Sequence, residues 1–435
     1  MKALIVAAGK GSRLKNLTRN KPKPLIQLLG LSLIERVILT AKQAGIDDFV
    51  VVIGYLGDKI KEKLGNGEIY GVKISYIENK EWQRGNGVSV LKAKELLKEN
   101  FFLLMSDHIF DAKILKELSQ VKLKDGEGIL VVDKKPKDYI DLDDATKVKV
   151  ENGYIRKIGK KLKDYNGVDC GIFLLSPSIF KALEESIEKG DETLSGGVRI
   201  LAKKRGMRSF DIKDNFWIDI DTKNSYRKAE KILCKKLIKP TDGPVSRHIN
   251  RPVSTRISKL LVKTGIKPDL ISSLSFAICL LSAFLFSFGD YLHIIVAGLL
   301  SQFSSIIDGC DGEVARLKFQ QTNYGAWFDA VLDRYADAMI ILGIVYGWWS
   351  LHGKVEVWIA GFIALIGSFM NSYTAIKYDA IFKKNKTGKI RFGRDVRLFL
   401  IMLGALLNQM YYILIILGIL TNAESIRRLY ILKNE

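Results

Sequence analysis

Four aspartates carry the first chemical signal. Residues 308–333 read DGCDGEVARLKFQQTNYGAWFDAVLD. Asp308 and Asp311 stand at i and i+3, and Asp329 and Asp333 at i and i+4. On a helix each pair therefore shares one face. The first pair ends an apolar run with no charged residue from Tyr291 to Ile307. A carboxylate at the centre of a membrane helix costs about 2.5–3.5 kcal/mol on insertion scales. Two helices joined by a loop from about Gly312 to Tyr324 would be neighbours, so the two pairs can converge. Converging carboxylates repel one another unless cations lie between them, and hard divalent ions such as Mg²⁺ take oxygen ligands of this kind. The plainer reading has four acids reaching separately to the membrane surface.

A second constellation lies near the start of the chain. The apolar stretch ALIVAAG runs into GKGSRL, followed by NKPKPLI. A glycine-rich turn after a strand can bring backbone N–H groups to a phosphate. By itself the Gly9-x-Gly11 turn is also compatible with a tight turn and nothing more. It is no Walker A loop, and it lacks the third glycine of a dinucleotide fingerprint. With Ser12, Arg13 and Lys23, the lysine held between Pro22 and Pro24, it becomes a candidate site for a triphosphate. Asp107 in LLMSDHIF ends an apolar strand-like run, and Asp219 and Asp221 in FWIDIDT share one face of another. These acids could hold a cation. Asp107 could equally be a turn former or a helix cap.

The elements that must carry these residues fall into two kinds. Up to about residue 240 the chain is rich in Lys and Glu. Strand-like runs such as DDFVVVIGY, VKISYI and FFLLMSD alternate there with helical patterns such as LIERVILTAKQAG and GVSVLKAKELLKEN. Repeated βα units predict an α/β domain with a mostly parallel, Rossmann-like sheet, with ligands beyond the carboxyl ends of its strands. From residue 271 the chain changes character. Ile271–Phe288 and Val357–Ile376 carry no charge at all, and about 20 apolar residues cross a bilayer core of about 30 Å. Lys and Arg concentrate between Lys377 and Arg397, whereas the turns near Gly289 and Asn408 carry none. The positive-inside rule then places the basic loop, the aspartates and the C-terminal SIRRLYILK on the cytoplasmic side. The 26 uncharged residues from Leu398 to Ala423 must cross twice, reversing near Asn408. The expectation is an all-α domain of six transmembrane helices over 271–435, a domain at 1–226, and a linker at 227–270. The linker is Pro-punctuated, basic and amphipathic towards its end, as suits a segment along a membrane surface.

The motifs carry two family resemblances. The Gly-x-Gly-x-Arg loop with Pro-Lys-Pro resembles the nucleoside-triphosphate transferases that attach a nucleotide to a sugar, choline or inositol phosphate. The likeness spans roughly 1–226. It implies that Gly9, Gly11 and Ser12 bind the nucleotide with Gly85, Asn86 and Ser89, and that Arg13 and Lys23 act in catalysis. It further implies metal at Asp107 with Asp219, Asp221 or both, alcohol hydroxyls at Asp169, and the alcohol's phosphate at Lys160 or Lys161. An ionised phosphate monoester would attack the α-phosphorus of the triphosphate and pyrophosphate would leave. No general base is then needed, and the difficulty is bringing anions together. The second motif, Asp-x2-Asp-Gly-x2-Ala-Arg-x8-Gly-x3-Asp-x3-Asp, resembles that of the CDP-alcohol phosphotransferases. It is matched by Asp308, Asp311, Gly312, Ala315, Arg316, Gly325, Asp329 and Asp333 without departure. The resemblance implies two metals on Asp308, Asp311 and Asp329, Asp333 as general base, and nucleotide contacts at Gly312, Ala315 and Gly325. A hydroxyl would attack the β-phosphorus of a CDP-alcohol, and CMP would leave. Asn250–Pro252 also resembles the start of that module. Asp337 continues the i+4 series and receives no role.

The fusion narrows the expectation further, because one domain makes an activated alcohol and the other consumes a CDP-alcohol. The pair resembles the bifunctional enzymes that make di-inositol phosphate solutes, with CTP and inositol 1-phosphate as substrates and Mg²⁺, or Mn²⁺ in its place, as cofactor. Arg316, Lys377, Arg394 and Arg397 would suit a phosphorylated acceptor. A phospholipid synthase with a lipid acceptor shares the aspartate motif and differs only in its product, while a non-enzymatic nucleotide sensor would release no CMP. The net charge of +21 calls for an anionic partner. No basic tract interleaved with stacking aromatics appears, which argues against nucleic acid. Cys170, Cys234, Cys279 and Cys310 form no CxxC pair, so neither a disulfide framework nor a zinc site is expected. Eight Gln in 435 residues, with abundant Lys and Glu, lean towards a thermophilic source. The expected location is the cell membrane, multi-pass, with the soluble domain and both sites cytoplasmic. A homodimer through the transmembrane helices would be compatible with this.

Overall fold

The computed structural model describes the 435 residues apart from 12, 15–17, 19, 240–241, 382–391 and 434–435, with backbone only at 379–381. Ser12 of the predicted nucleotide loop, and most of the basic loop used for topology, thus lie outside the described residues. The chain forms two compact units, Met1–Ile232 and Leu233–Glu435.

Among the described residues the first unit has thirteen strands: β1 (Lys2–Ala7), β2 (Gln27–Leu28), β3 (Leu31–Ser32), β4 (Asp48–Ile53), β5 (Lys73–Glu78), β6 (Phe101–Met105), β7 (His108–Phe110), β8 (Gly128–Asp133), β9 (Lys147–Glu151), β10 (Tyr154–Gly159), β11 (Gly167–Leu175), β12 (Met207–Asp211) and β13 (Trp217–Asp219). Its helices are α1 (Leu33–Gln43), α2 (Gly57–Leu64), α3 (Asn86–Leu91), α4 (Ala112–Leu118), α5 (Ser178–Glu188), α6 (Leu194–Lys203) and α7 (Lys223–Lys235). Nine strands form one sheet in the order β5-β4-β1-β6-β11-β8-β12-β10-β9. The βα repeats make β5, β4, β1 and β6 parallel. Beyond β6 the sheet is mixed, because β11 runs antiparallel to both β6 and β8. The carboxyl ends of β1 and β6 and the start of β11 therefore meet at one edge. Continuous apolar strands such as FVVVI are buried on both faces, as expected for the interior of a covered sheet.

Local chemistry sets the elements around that edge. Ser32 and Glu35 form a capping box at the start of α1. Buried Arg36 then donates to the carbonyls of Leu28 and Leu29, both at 2.8 Å, and holds the β2–β3 hairpin behind the Pro-Lys-Pro turn. The helix expected over GVSVLKAKELLKEN ends at Leu91, and the chain goes on in tighter turns with i→i−3 bonds at Ala93, Lys94 and Leu96.

The second unit is helical: α8 (Arg251–Leu261), α9 (Pro268–Phe286), α10 (Tyr291–Lys318), α11 (Asn323–His352), α12 (Glu356–Ile381), α13 (Arg394–Leu406) and α14 (Met410–Lys433). Among the described residues four helices, α9, α10, α12 and α14, are long and apolar enough to cross a membrane. The other two expected crossings differ for separate reasons. Helix α11 carries Asp329, Asp333, Arg334 and Asp337 in its first half. Helix α13 has 13 residues, about 20 Å at 1.5 Å per residue. The reversal after α13 is at Asn408, which takes a left-handed φ of 55°. The bundle surface is apolar, with Phe284, Leu292, Ile359, Phe362 and Ile419 exposed, as for helices facing lipid.

Small residues bring the helices close. Ser275 and Ser282 of α9 donate to the carbonyls of Ser304 and Ala297 on α10, at 3.0 and 2.7 Å. Gly343 and Gly347 of α11 lie against the carbonyls of Ala283 and Phe286 on α9, where a Cβ would collide with backbone. Gly347→Leu is accordingly expected to destabilise the bundle by about 1–3 kcal/mol through overpacking. Thermal unfolding in detergent measures this, and an unchanged midpoint would refute the close α9–α11 contact.

Candidate active sites

The first site is a cleft of about 480 Å³ at the convergent edge of the sheet. Gly9, Gly11, Arg13, Lys23, Asn86, Ser89, Asp107, Lys160, Asp169, Asp219 and Asp221 line it. Gly9 has no neighbour within 4 Å of a would-be Cβ among the described residues, so a ligand can approach its backbone. Gly11 has φ +66° and packs on the aliphatic stem of Lys23, which a side chain there would displace. The three-residue turn Lys23–Leu25 sets that lysine in place. It is buried and bridges Asp107 and Asp221. Burial lowers the Lys23 pKa, but the two carboxylates more than reverse this, and it stands above the usual lysine value. Burial likewise pushes Asp107 up, and Lys23 and His108 outweigh it to leave the carboxyl at about 2.

Asp219 reaches the cleft because β13 pairs with β7, placing it opposite His108. Asp221 follows just beyond the strand, its N–H bonded to Ser225 Oγ at 3.0 Å. Carboxylate oxygens of Asp144, Asp219 and Asp221 lie within 4.8 Å of one another. Asp144 has no motif in the sequence; its only signal is the acidic run DLDD in a loop between strands. It pairs with Arg13 and, at 2.7 Å, with Lys160. Burial raises Asp219, with Asp221 and Asp107 adding to the effect and His108 opposing it. The donor set of three carboxylate oxygens suits a hard divalent ion.

One expectation needs correction here. Gly85 does not line the cleft. Its N–H donates to Glu192 Oε2 at 3.3 Å, and a Cβ would strike the Glu192 backbone, so this glycine serves loop packing. Lys160, and not Lys161, is the lysine in the cleft wall. Asn86 and Ser89 line it but also hold structure, accepting from Leu194 N–H and Asn79 Nδ2, each at 2.9 Å. Trp82, Arg84, His108, Ser195 and Trp217 also line the cleft and were not singled out.

Burial pushes Asp169 up to about 6, although the Gly171 N–H bond and His108 oppose it. The folded state therefore holds that proton more tightly than the unfolded chain, whose value is about 4. The resulting cost to stability grows as pH rises from about 4 to 6 and persists above. Asp169→Asn is expected to stabilise this unit at pH 7.5 by up to about 3 kcal/mol and to gain little near pH 4. Melting at both values tests this, and equal midpoints at pH 7.5 would reject it.

The second site lies within the helical unit. Helix α10 runs past the motif to Lys318, so Gly312, Ala315 and Arg316 are helical and not part of a loop. The actual connection is residues 319–322, turned by left-handed Phe319 and capped by Thr322 on Gly325 N–H at 2.9 Å. This short link brings the two aspartate pairs together. Oxygens of Asp308, Asp329 and Asp333 lie within 4.8 Å of one another. Asp311 is outside that trio but reaches Asp329. It accepts from Ser272 Oγ at 2.5 Å and from its neighbour Gly312 N–H. Asp329 Oδ1 is buried and has no hydrogen-bond partner among the described residues. An orphaned carboxylate oxygen among other carboxylates fits a cation site.

Arg394 and Arg397 are engaged by acids. Arg394 pairs with Asp333 at 2.6 Å, Asp308 at 3.3 Å and Asp337 at 3.2 Å. Arg397 pairs with Asp337 at 2.7 Å, and Ser368 Oγ donates to the same carboxylate at 2.8 Å. Asp337 is thus the anchor of both arginines. The two also line a pocket of about 250 Å³ with Asp333, Arg334, Asn371, Ser372 and Arg428. Lys377 does not reach it. On α12 the faces of Asn371, Ser372, Ala375 and Ile376 turn to the pocket, while Lys377 is exposed and lies over the Tyr373 ring at 5.9 Å. Among the described residues the four cysteines form no disulfide, and all are buried.

Comparison with known proteins accords with this division. Residues 2–236 match the nucleotidyl transferase family and residues 266–423 the CDP-alcohol phosphatidyltransferase family. A bifunctional IPC transferase and DIPP synthase of Rubrobacter xylanophilus is 37% identical over 99% of this chain and 96% of its own. One from Aquifex aeolicus is 36% identical over 99% of this chain and 97% of its own. A solved inositol-1-phosphate CTP transferase from T. maritima is 29% identical, covers 53% of this chain and 94% of its own, and has a TM-score of 0.46. With both domains matched and relatives aligned over nearly their whole length, the chain belongs to the bifunctional IPC transferase and DIPP synthase family, enzymes that join a nucleotidyl transferase to a CDP-alcohol phosphotransferase.

Proposed function

We propose that the first unit transfers CMP from CTP to inositol 1-phosphate, giving CDP-inositol and pyrophosphate. The second unit transfers inositol phosphate from CDP-inositol to another inositol 1-phosphate, giving di-inositol phosphate phosphate and CMP. The observation that carries this reading is the presence, in one chain, of a buried Lys23 bridging Asp107 and Asp221 and a separate cluster of Asp308, Asp329 and Asp333.

In the first reaction the substrate phosphate is already ionised. Lys23 and Arg13 offset the repulsion between it and the triphosphate, and the open Gly9 backbone accepts the phosphates. Asp219 and Asp221, with Asp107 and Asp144 beside them, would hold Mg²⁺. Asp169 and Lys160 grip the alcohol. In the second reaction an acceptor hydroxyl must lose a proton, which Asp333 receives. Arg394 orients one oxygen of Asp333, and Arg334 stands 3.7 Å from the other. Asp308, Asp311 and Asp329 would hold Mg²⁺ or Mn²⁺; when bound, such ions neutralise phosphate charge. The polar pocket beside Asp333 takes the acceptor's phosphate, with Arg334 and Arg428 added to the expected Arg394 and Arg397, and with Lys377 and Arg316, neither of which lines it, left out. Working boundaries are 1–226 and 271–435, joined by 227–270. Both sites face the cytoplasm, and the helices are compatible with a homodimer.

Membranes holding the full chain, incubated with CTP, Mg²⁺ and inositol 1-phosphate, test the whole scheme by ³¹P spectroscopy. A water-soluble product with one phosphodiester and one terminal phosphomonoester is expected, preceded by the diphosphate of a CDP-alcohol. A product that partitions into organic solvent would replace the acceptor by a lipid.

A further inference from the structure

The helical unit contains a buried chain of charges away from the aspartate cluster. Glu313, the residue after Gly312, is fully buried. It accepts from Arg251 at 2.8 Å and from Ser254 and Ser258 at 2.7 Å each. Arg251 also donates to both oxygens of Asp242, at 2.9 and 3.1 Å. Asp242 in turn accepts from the backbone N–H of Lys239 at 2.9 Å and donates its own N–H to the Lys239 carbonyl at 3.0 Å. Buried ion pairs are poor stabilisers compared with apolar packing, so a positional reason is called for. What the relay pins is Lys239, in the segment between α7 and α8.

Lys239 has an accessible side chain whose Nζ makes no hydrogen bond or ion pair among the described residues. Burial of part of it, with the positive charges of Arg316 and Arg251, lowers its pKa below the usual lysine value; Asp242 and Asp311 oppose this. Among the described residues Arg316 likewise has no carboxylate partner. It donates to the Leu237 carbonyl at 3.3 Å, and its buried Nε is unbonded. Its Nη1 stands 3.1 Å from where a Gly312 Cβ would be. Two neighbouring cations without an acid between them are favourable when an anion joins them. A reaction between a diphosphate donor and a phosphorylated acceptor needs two basic places. One lies on the Asp333 side, with Arg334 and Arg428; the other is here, on the Asp311 side.

We propose that Lys239 binds the donor, its ammonium and the Arg316 guanidinium together holding the diphosphate of the CDP-alcohol next to Asp311 and Gly312. This rests on the assignment of the aspartate cluster to CDP-alcohol chemistry. The test uses the full-length protein in detergent with CDP and Mg²⁺ as the binding probe and CDP-inositol as donor. Lys239→Ala is expected to raise the donor KM and the CDP Kd by about tenfold or more, with kcat and the acceptor KM little changed, and Lys239→Arg is expected to recover most of the loss. An unchanged donor KM, or a rise in the acceptor KM instead, would overturn the role. Asp308→Asn separates the two levels. If it abolishes CDP binding while Lys239→Ala leaves it intact, only the lysine assignment fails. If Asp308→Asn still binds CDP as the wild type does, the reading of the cluster fails and the lysine role with it.

Discussion

Asp333→Asn is expected to stop the second transfer and leave the first running. Asparagine keeps the size of the side chain but cannot receive the proton of the acceptor hydroxyl. A general base contributes roughly 10²- to 10⁴-fold, so turnover should fall by that order. Arg394 loses one of its three acids and keeps Asp308 and Asp337, so the local fold should hold. Membranes carrying this variant, supplied with CTP and inositol 1-phosphate, should accumulate CDP-inositol. Asp329→Asn should behave differently. Its Oδ1 is the orphaned buried oxygen, so its loss should weaken metal binding, and raised Mg²⁺ or Mn²⁺ should recover part of the rate. Asp333 also belongs to the trio whose oxygens converge, which makes the comparison decisive. If extra metal restores Asp333→Asn, then Asp333 is a ligand and the proton goes elsewhere.

Lys23→Ala should silence the first reaction by roughly 10²- to 10³-fold, the scale of losing one preorganised charge donor. Lys23 is the buried cation between Asp107 and Asp221, and without it the two carboxylates face one another unbridged. Use of inositol 1-phosphate should suffer more than CTP binding, because the charge that offsets the approaching phosphate is gone. Arginine should not substitute, since its planar fork cannot place one compact ammonium between Asp107 and Asp221. Transfer from supplied CDP-inositol should remain. Pyrophosphate release with CTP, set against CMP release with CDP-inositol, reads the two reactions separately. Equal weakening of CTP and inositol phosphate would move Lys23 away from the reacting phosphate.

Much of this chemistry was legible in short stretches of sequence. Asp308/Asp311 and Asp329/Asp333 could be paired because helical periodicity puts i, i+3 and i+4 on one face. Gly9, Gly11, Arg13 and Lys23 were legible because a strand followed by a glycine turn and a proline-locked lysine is a local pattern. The four apolar helices followed from length and composition alone. The count of crossings is not legible in the same way, for a physical reason: charges on α11 and the shortness of α13 are tolerated only by helices sheltered in a bundle, and shelter is not a property of a segment.

What the sequence by itself determined, then, are the residues whose neighbours are near in the chain, together with the alternation of strands and helices that carries them. The tertiary structure alone decided which distant groups meet. Asp144 comes from an unremarked loop to stand with Asp219 and Asp221, because β13 pairs with β7 and the 141–146 segment folds over the same edge. Gly85 turned out to serve packing against Glu192. Asp337, without a role in the sequence, anchors Arg394 and Arg397 from a different helix. Lys239 gains its setting only through Asp242, Arg251 and Glu313. Contacts of this kind depend on which helix face or sheet edge is buried against which, and burial is settled by the packing of the whole unit and not by any one stretch of chain.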